Sequence, residues 1–251
     1  MSTKPHFEYL LRLGDNALVS GQRLGELVTR APELEEEMAL ANFALDCVGQ
    51  ARMFYTYAAE IEGQGRDEDQ LAFLRDQIDF RNLLLVEQPN GDFACTIARQ
   101  FLFLSAYQIQ LDELTRSSDK RIAEIAARAV KEVAYQLRHT RQWLIRLGDG
   151  TDESHDRMQK AIDDLWRFTG EMFIADEIDE WAAAENVGPN PAALQAPWND
   201  FVQQALQEAT LTRPQDAWMD TGGKHGRHTE HLGYLLAEMQ YMQRAYPGAA
   251  W

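Results

Sequence analysis

The chain has 251 residues, 45% of them apolar, and its 24 basic against 40 acidic side chains leave a net charge of −16 and a pI near 4.7. That length and apolar content suffice for one large helical domain or two smaller ones, and a single domain over residues 1–251 is expected. The acidic balance repels phosphate backbones and anionic lipid surfaces, so we expect no nucleic acid and no membrane partner.

The N-terminus, MSTKPHFEYLL, has no basic segment leading into an apolar one, and no stretch of the chain reaches the roughly 18 apolar residues a membrane span needs. A cytoplasmic location is expected. The two cysteines, Cys47 and Cys95, lie inside helix-patterned apolar stretches and read as reduced core thiols.

Apolar residues recur at helical spacing along the whole chain, and strand-like alternation is nowhere sustained. A first helix is predicted from about Phe7 to Arg30. A second runs from Pro32, a first-turn proline ahead of Glu33, Glu35, Glu36 and Glu37, to about Ala59, and Gly63 and Gly65 close the hairpin. Asp67 with Gln70 makes a capping box for a short helix. Asp92 is the N-cap of a third long helix reaching about Thr115, and Asp119 opens a fourth that stops at Gly148-Asp149-Gly150. Four such segments, joined by loops that allow antiparallel packing, define an all-α, ferritin-like four-helix bundle over about 7–147. Additional helices near 152–173, 176–185, 191–209 and 229–246 pack outside it.

A bundle of this kind raises the question of a di-iron centre, which takes a Glu from each of two helices and a Glu-x-x-His from each of the other two. The i, i+3 spacing puts carboxylate and imidazole one turn apart on the same face. On the second helix the nearest match is Asp46-Cys47-Val48-Gly49-Gln50, with glycine where the imidazole belongs. On the fourth, Glu132 is followed at i+3 by Tyr135, and His139 lies seven residues on, roughly 10 Å along the axis. The third helix carries no Asp or Glu between Asp92 and Asp112, so it donates no bridging carboxylate. The first offers Asp15, Gln22 and Glu26. We therefore expect no metal and no catalytic residue in this chain, with Asp46, Gly49, Glu132 and Tyr135 as degenerate ligand positions. Asp46 and Glu132 share faces with apolar neighbours and are expected to be buried, in a polar network with Tyr135, Gln50 or an arginine.

The segment from Thr221 to His231 places His225, His228 and His231 at steps of three, which fan out around a helix rather than converge on one ion. Its glycines precede a helix N-terminus beside Lys224, Arg227 and His228, a pattern suited to an anion or a partner's carboxylate, or to an ordinary loop and cap. Trp143, Trp166, Phe168, Phe173, Trp181 and Trp198 on the outer helices either line an interface or cap the bundle core. No nucleophile elbow, phosphate-binding loop or dinucleotide fingerprint occurs.

Several motifs, in order along the chain, resemble the structural C components of bacterial phenylacetyl-coenzyme A epoxidases. They are Leu11-Arg-Leu-Gly-Asp-Asn16, Gln22-Arg-Leu-Gly-Glu26, Gly49-Gln-Ala-Arg52, Leu83-Leu-Leu-Val-Glu-Gln-Pro-Asn-Gly91, Leu165-Trp-Arg-Phe-Thr169, Ala175-Asp-Glu-Ile-Asp179, Thr221-Gly-Gly-Lys224 and His228-Thr-Glu-His-Leu-Gly233. The resemblance implies a ferritin-like fold and a place in aerobic phenylacetate breakdown. It further implies a non-catalytic, structural role beside a homologous subunit whose di-iron centre epoxidises the ring with O₂ and electrons from a separate reductase. That catalytic di-iron subunit is the expected partner, and a homodimer is expected when the chain is alone. Two other readings stand beside it: an autonomous ferritin-like di-iron oxygenase or iron-binding protein with unorthodox ligands, and a coenzyme A-binding module using the Lys224 loop.

Overall fold

The computed structural model describes residues 3–249. Regular structure among them is helical, with no strand: α1 (Thr3–Gly25), α2 (Leu34–Glu62), α3 (Glu68–Phe73), α4 (Leu84–Glu87), α5 (Phe93–Leu114), α6 (Lys120–Gly148), α7 (Asp152–Trp166), α8 (Glu177–Ala184), α9 (Pro191–Glu208), α10 (Glu230–Met239) and α11 (Tyr241–Ala245). Three 3₁₀ turns intervene at Gln77–Asp79, Gly170–Phe173 and Gly223–His225. The residues form two compact units, one running up to Gln88 and resuming at Gly222, the other spanning Pro89–Thr221.

In the first unit α1 and α2 form a long antiparallel hairpin, with α3 against α2 and both α4 and α10 against α1. Every residue of α1 from Tyr9 to Gly21 is buried or nearly so. Two glycines set the spacing of the hairpin. A Cβ on Gly14 would stand 2.5 Å from the Tyr55 ring, and one on Gly21 would stand 3.0 Å from Cys47 Cβ, so a side chain at either point would push the helices apart. Helix α2 ends at Gly63, a left-handed residue whose N–H returns to Ala59 O. The C-terminal helix breaks at Gln240, whose buried carboxamide donates to Ala72 O at 3.1 Å and Arg75 O at 3.0 Å.

In the second unit α5 is the central helix, buried without interruption from Thr96 to Tyr107, and α6, α7 and α9 pack around it. Asp92 caps α5 by accepting from Cys95 N at 2.9 Å, and Asp119 caps α6 through Arg121 N and Ile122 N. Of the outer aromatics, Trp166, Phe173 and Trp198 are core residues, with the Trp166 and Phe173 rings 5.6 and 5.0 Å from that of Trp198. The Trp198 indole donates to Ser105 Oγ on α5 at 2.8 Å. Trp143, Phe168 and Trp181 are half-buried. Three of the six thus cap the core of the second unit, where α9 and the 3₁₀ turn at Gly170–Phe173 lay their rings together. Both cysteines are free thiols; Cys47 is buried, and burial pushes the Cys95 thiol above its ordinary range.

Candidate functional site

The positions that would carry metal ligands lie on α2 and α6. Asp46 is half-buried on α2, and Gly49, one turn on, offers no ligand atom. On α6 the buried stripe runs through Ile122, Ile125, Ala129, Val133, Gln136, Thr140 and Leu144. Glu132 is one residue off that stripe and half-buried, and its carboxylate accepts from Arg128 Nε at 3.2 Å one turn back. Tyr135, one residue before Gln136, is 52% exposed, with the Arg138 guanidinium 5.2 Å from its ring centroid. The expected burial of Asp46 and Glu132 is therefore corrected. A helix turns about 100° per residue, so even a one-residue offset from the apolar stripe carries a carboxylate to the edge of the core. Among the described residues no group of three or more His, Cys, Asp or Glu is placed to hold a metal ion.

Two other carboxylates are fully enclosed. Asp15, on α1, is 0% exposed and receives Arg75 Nη1 at 3.1 Å, a second bond from Arg75 Nη2, the Tyr55 hydroxyl, and Arg81 N at 2.6 Å. The Arg75 guanidinium also donates to Asp79 O at 3.0 Å and lies 4.3 Å from the Phe80 ring centroid. Burial works to lower the Arg75 pKa, but the Asp15 charge outweighs it and holds the guanidinium above its ordinary value. Burial, reinforced by Asp15, raises the Tyr55 phenol well above its ordinary value, so its proton stays on the bond to Asp15. The first-helix acid that pattern reasoning offers as a metal ligand is thus already neutralised by an arginine.

Glu87, on α4, is also 0% exposed. Its Oε1 accepts from Thr229 N at 2.6 Å and Thr229 Oγ1 at 2.7 Å. Its Oε2 accepts from Asn82 Nδ2 at 2.9 Å and lies 2.8 Å from His228 Nδ1, while His228 Nε2 lies 3.0 Å from Phe80 O. Arg23 secures the backbone beside it, donating to Glu87 O from Nε at 3.0 Å and Nη2 at 2.7 Å. The glycine loop before α10 therefore receives the chain's own carboxylate at its helix N-terminus. Of the three residues singled out for an anion, His228 is the one brought onto Glu87; Lys224 is half-buried and Arg227 is exposed or nearly so. The glycines serve close approach. A Cβ on Gly223 would stand 2.2 Å from Asn82 O, and one on Gly226, where φ is +75°, 2.1 Å from Ile78 O.

Arg23, Tyr55, Arg75 and Glu87 escape motif-based reading because their partners lie far away in sequence. A signal for Glu87 does exist, since it is an acid closing the apolar run Leu83–Val86, and a carboxylate among buried leucines needs donors.

Fold and site together define an all-helical protein of ferritin-like pattern whose enclosed carboxylates are tied to its own arginine, histidine, threonine and asparagine groups. The family described as phenylacetic acid catabolic protein matches residues 1–251, and the chain belongs to it. It is similar to the Escherichia coli (strain K12) protein named as the C component of 1,2-phenylacetyl-CoA epoxidase, at 56% identity over 244 residues, covering 97% of this chain and 98% of that protein. No helix among the described residues is long and apolar enough to cross a membrane.

Proposed function

We propose that this chain is a non-catalytic structural subunit of a multicomponent phenylacetyl-CoA epoxidase in aerobic phenylacetate breakdown. It supports a homologous subunit that holds the di-iron centre, it self-associates as a homodimer when alone, and it works in the cytoplasm. Its likeness to an epoxidase component along nearly the full length of both chains supports the assignment to such a complex.

The observation that carries the non-catalytic part is the donor set. Gly49 has no ligand atom, Tyr135 lies on the surface, Glu132 faces Arg128, and Asp15 is locked by Arg75 and Tyr55. A di-iron centre needs several carboxylates and two imidazoles converging on one point, and these residues do not fit one. No step of the oxygen chemistry is assigned to them.

Co-expression with the iron-bearing subunit tests the reading. The two chains should purify as one complex that turns over phenylacetyl-CoA when supplied with O₂ and a reductase, and this chain alone should turn over nothing. Failure to form any complex, or turnover by this chain alone, would contradict it.

A further inference from the structure

The contact between Glu87 and His228 has a proton count fixed by its geometry. His228 Nε2 lies 3.0 Å from Phe80 O, an atom that only accepts, so that nitrogen carries a hydrogen. Nδ1 lies 2.8 Å from Glu87 Oε2, and neither side chain has any exposed surface. An ionised Glu87 beside a neutral imidazole would leave a single N–H for two oxygens. In either tautomer a nitrogen lone pair would then stand against an oxygen, at 2.8 or 3.0 Å, with no solvent to relieve it. The rest of the carboxylate is already engaged, by Thr229 N and Oγ1 on Oε1 and by Asn82 Nδ2 on Oε2. The contact therefore holds one proton beyond the hydrogen on Nε2, whichever of the two facing atoms carries it.

We propose that this shared proton is a latch that fastens the loop 222–229 and the N-terminus of α10 onto residues 78–88, and that the latch loosens as pH rises above the ordinary histidine range. Once the loop lifts, Glu87 and His228 meet water, where a carboxyl is ionised above about pH 4.3 and an imidazole gives up its second proton around pH 6.5. Above about pH 6.5 the closed form holds one proton more than the open form, so raising the pH favours opening; between about 4.3 and 6.5 the two forms hold the same number and the latch is at full strength. The segment it fastens has few other ties to the body of the unit, among them Gln77 Nε2 to Thr229 O at 3.3 Å and Arg23 Nη2 to His231 O at 3.1 Å. The charges around the contact are Arg23 of α1, which donates to Glu87 O and pairs with Glu26, and Arg81, whose Nη1 donates to the same Phe80 O and whose Nε pairs with Glu8. Neither arginine titrates in this range. The loop and α10 add Lys224, His225, Arg227, Glu230 and His231.

Hydrogen exchange in the full chain tests it, read at the Thr229 amide, which is freed only when its bond to Glu87 opens. After correction for the intrinsic chemical rate, the opening constant should rise roughly fiftyfold from pH 6.5 to 8.5, the effect of one proton lost on opening. A rise of less than fivefold would overturn the latch. His228→Gln puts a group that does not titrate in the ring's place and should abolish the rise, whereas His231→Gln should keep it. The same rise in His228→Gln, or its loss in His231→Gln, would assign the proton elsewhere and overturn the proposal. Should His228→Gln fail to fold, the ring nitrogens of the unmodified chain decide the matter. Their ¹⁵N resonances should report one protonation state from pH 6.5 to 8.5, and titration of His228 through that range would overturn it.

Discussion

At the scale of single residues, the stability of the first unit depends on charges matched inside it. Asp15→Asn leaves the Arg75 guanidinium buried without its counter-charge, which should cost about 3–5 kcal/mol in a chemical denaturation experiment. Glu132→Gln weakens the ion pair with Arg128, whose side chain is 70% exposed, and should cost less than about 1 kcal/mol. Equal costs for the two would mean that burial is not the governing difference. Tyr55 adds a pH dependence. Its folded pKa is raised above the ordinary 10.0, so its contribution is fully present below that value and is lost as pH climbs through and beyond it. Tyr55→Phe should therefore flatten the alkaline limb of the stability curve. An unchanged limb would show that the phenol titrates normally.

At the scale of elements, the four long helices are legible in the sequence because their caps are local. Asp92, Asp119, Gly63 and the Asp67–Gln70 box all act within a few residues of where they stand. The stretch 74–92 is less legible, since its 3₁₀ turn and α4 are held by residues about sixty positions away or more: Asp15 bonds to Arg75 and Arg81, Asn16 to Leu83 N, and Arg23 to Glu87 O. Long-range pairing of this kind leaves no periodic trace. The candidate site follows the same division. The absence of ligands at Gly49 and along α5 is plain from residue identity, but the burial of Asp46 and Glu132 is misjudged because a one-residue offset on a helix separates core from edge. The glycine loop also reads as an anion cradle without disclosing that the anion is Glu87. Its close packing yields a prediction: Gly226→Ala forces a side chain onto Ile78 O at positive φ and should cost about 1–3 kcal/mol for the backbone conformation alone. A neutral effect would mean the loop is not clamped to residues 78–82.

At the scale of the whole molecule, the net charge of −16 disfavours nucleic acid and anionic membranes. The central claim is that this chain supports iron chemistry without holding the iron, and metal analysis tests it most directly. Iron should be measured in the isolated chain after reconstitution with ferrous iron and desalting, and again in the complex with its catalytic partner. Iron should follow the catalytic partner, and this chain alone should retain far less than one equivalent. One or more irons per chain, bound in the isolated protein and lost on substitution of Asp46 or Glu132, would contradict it.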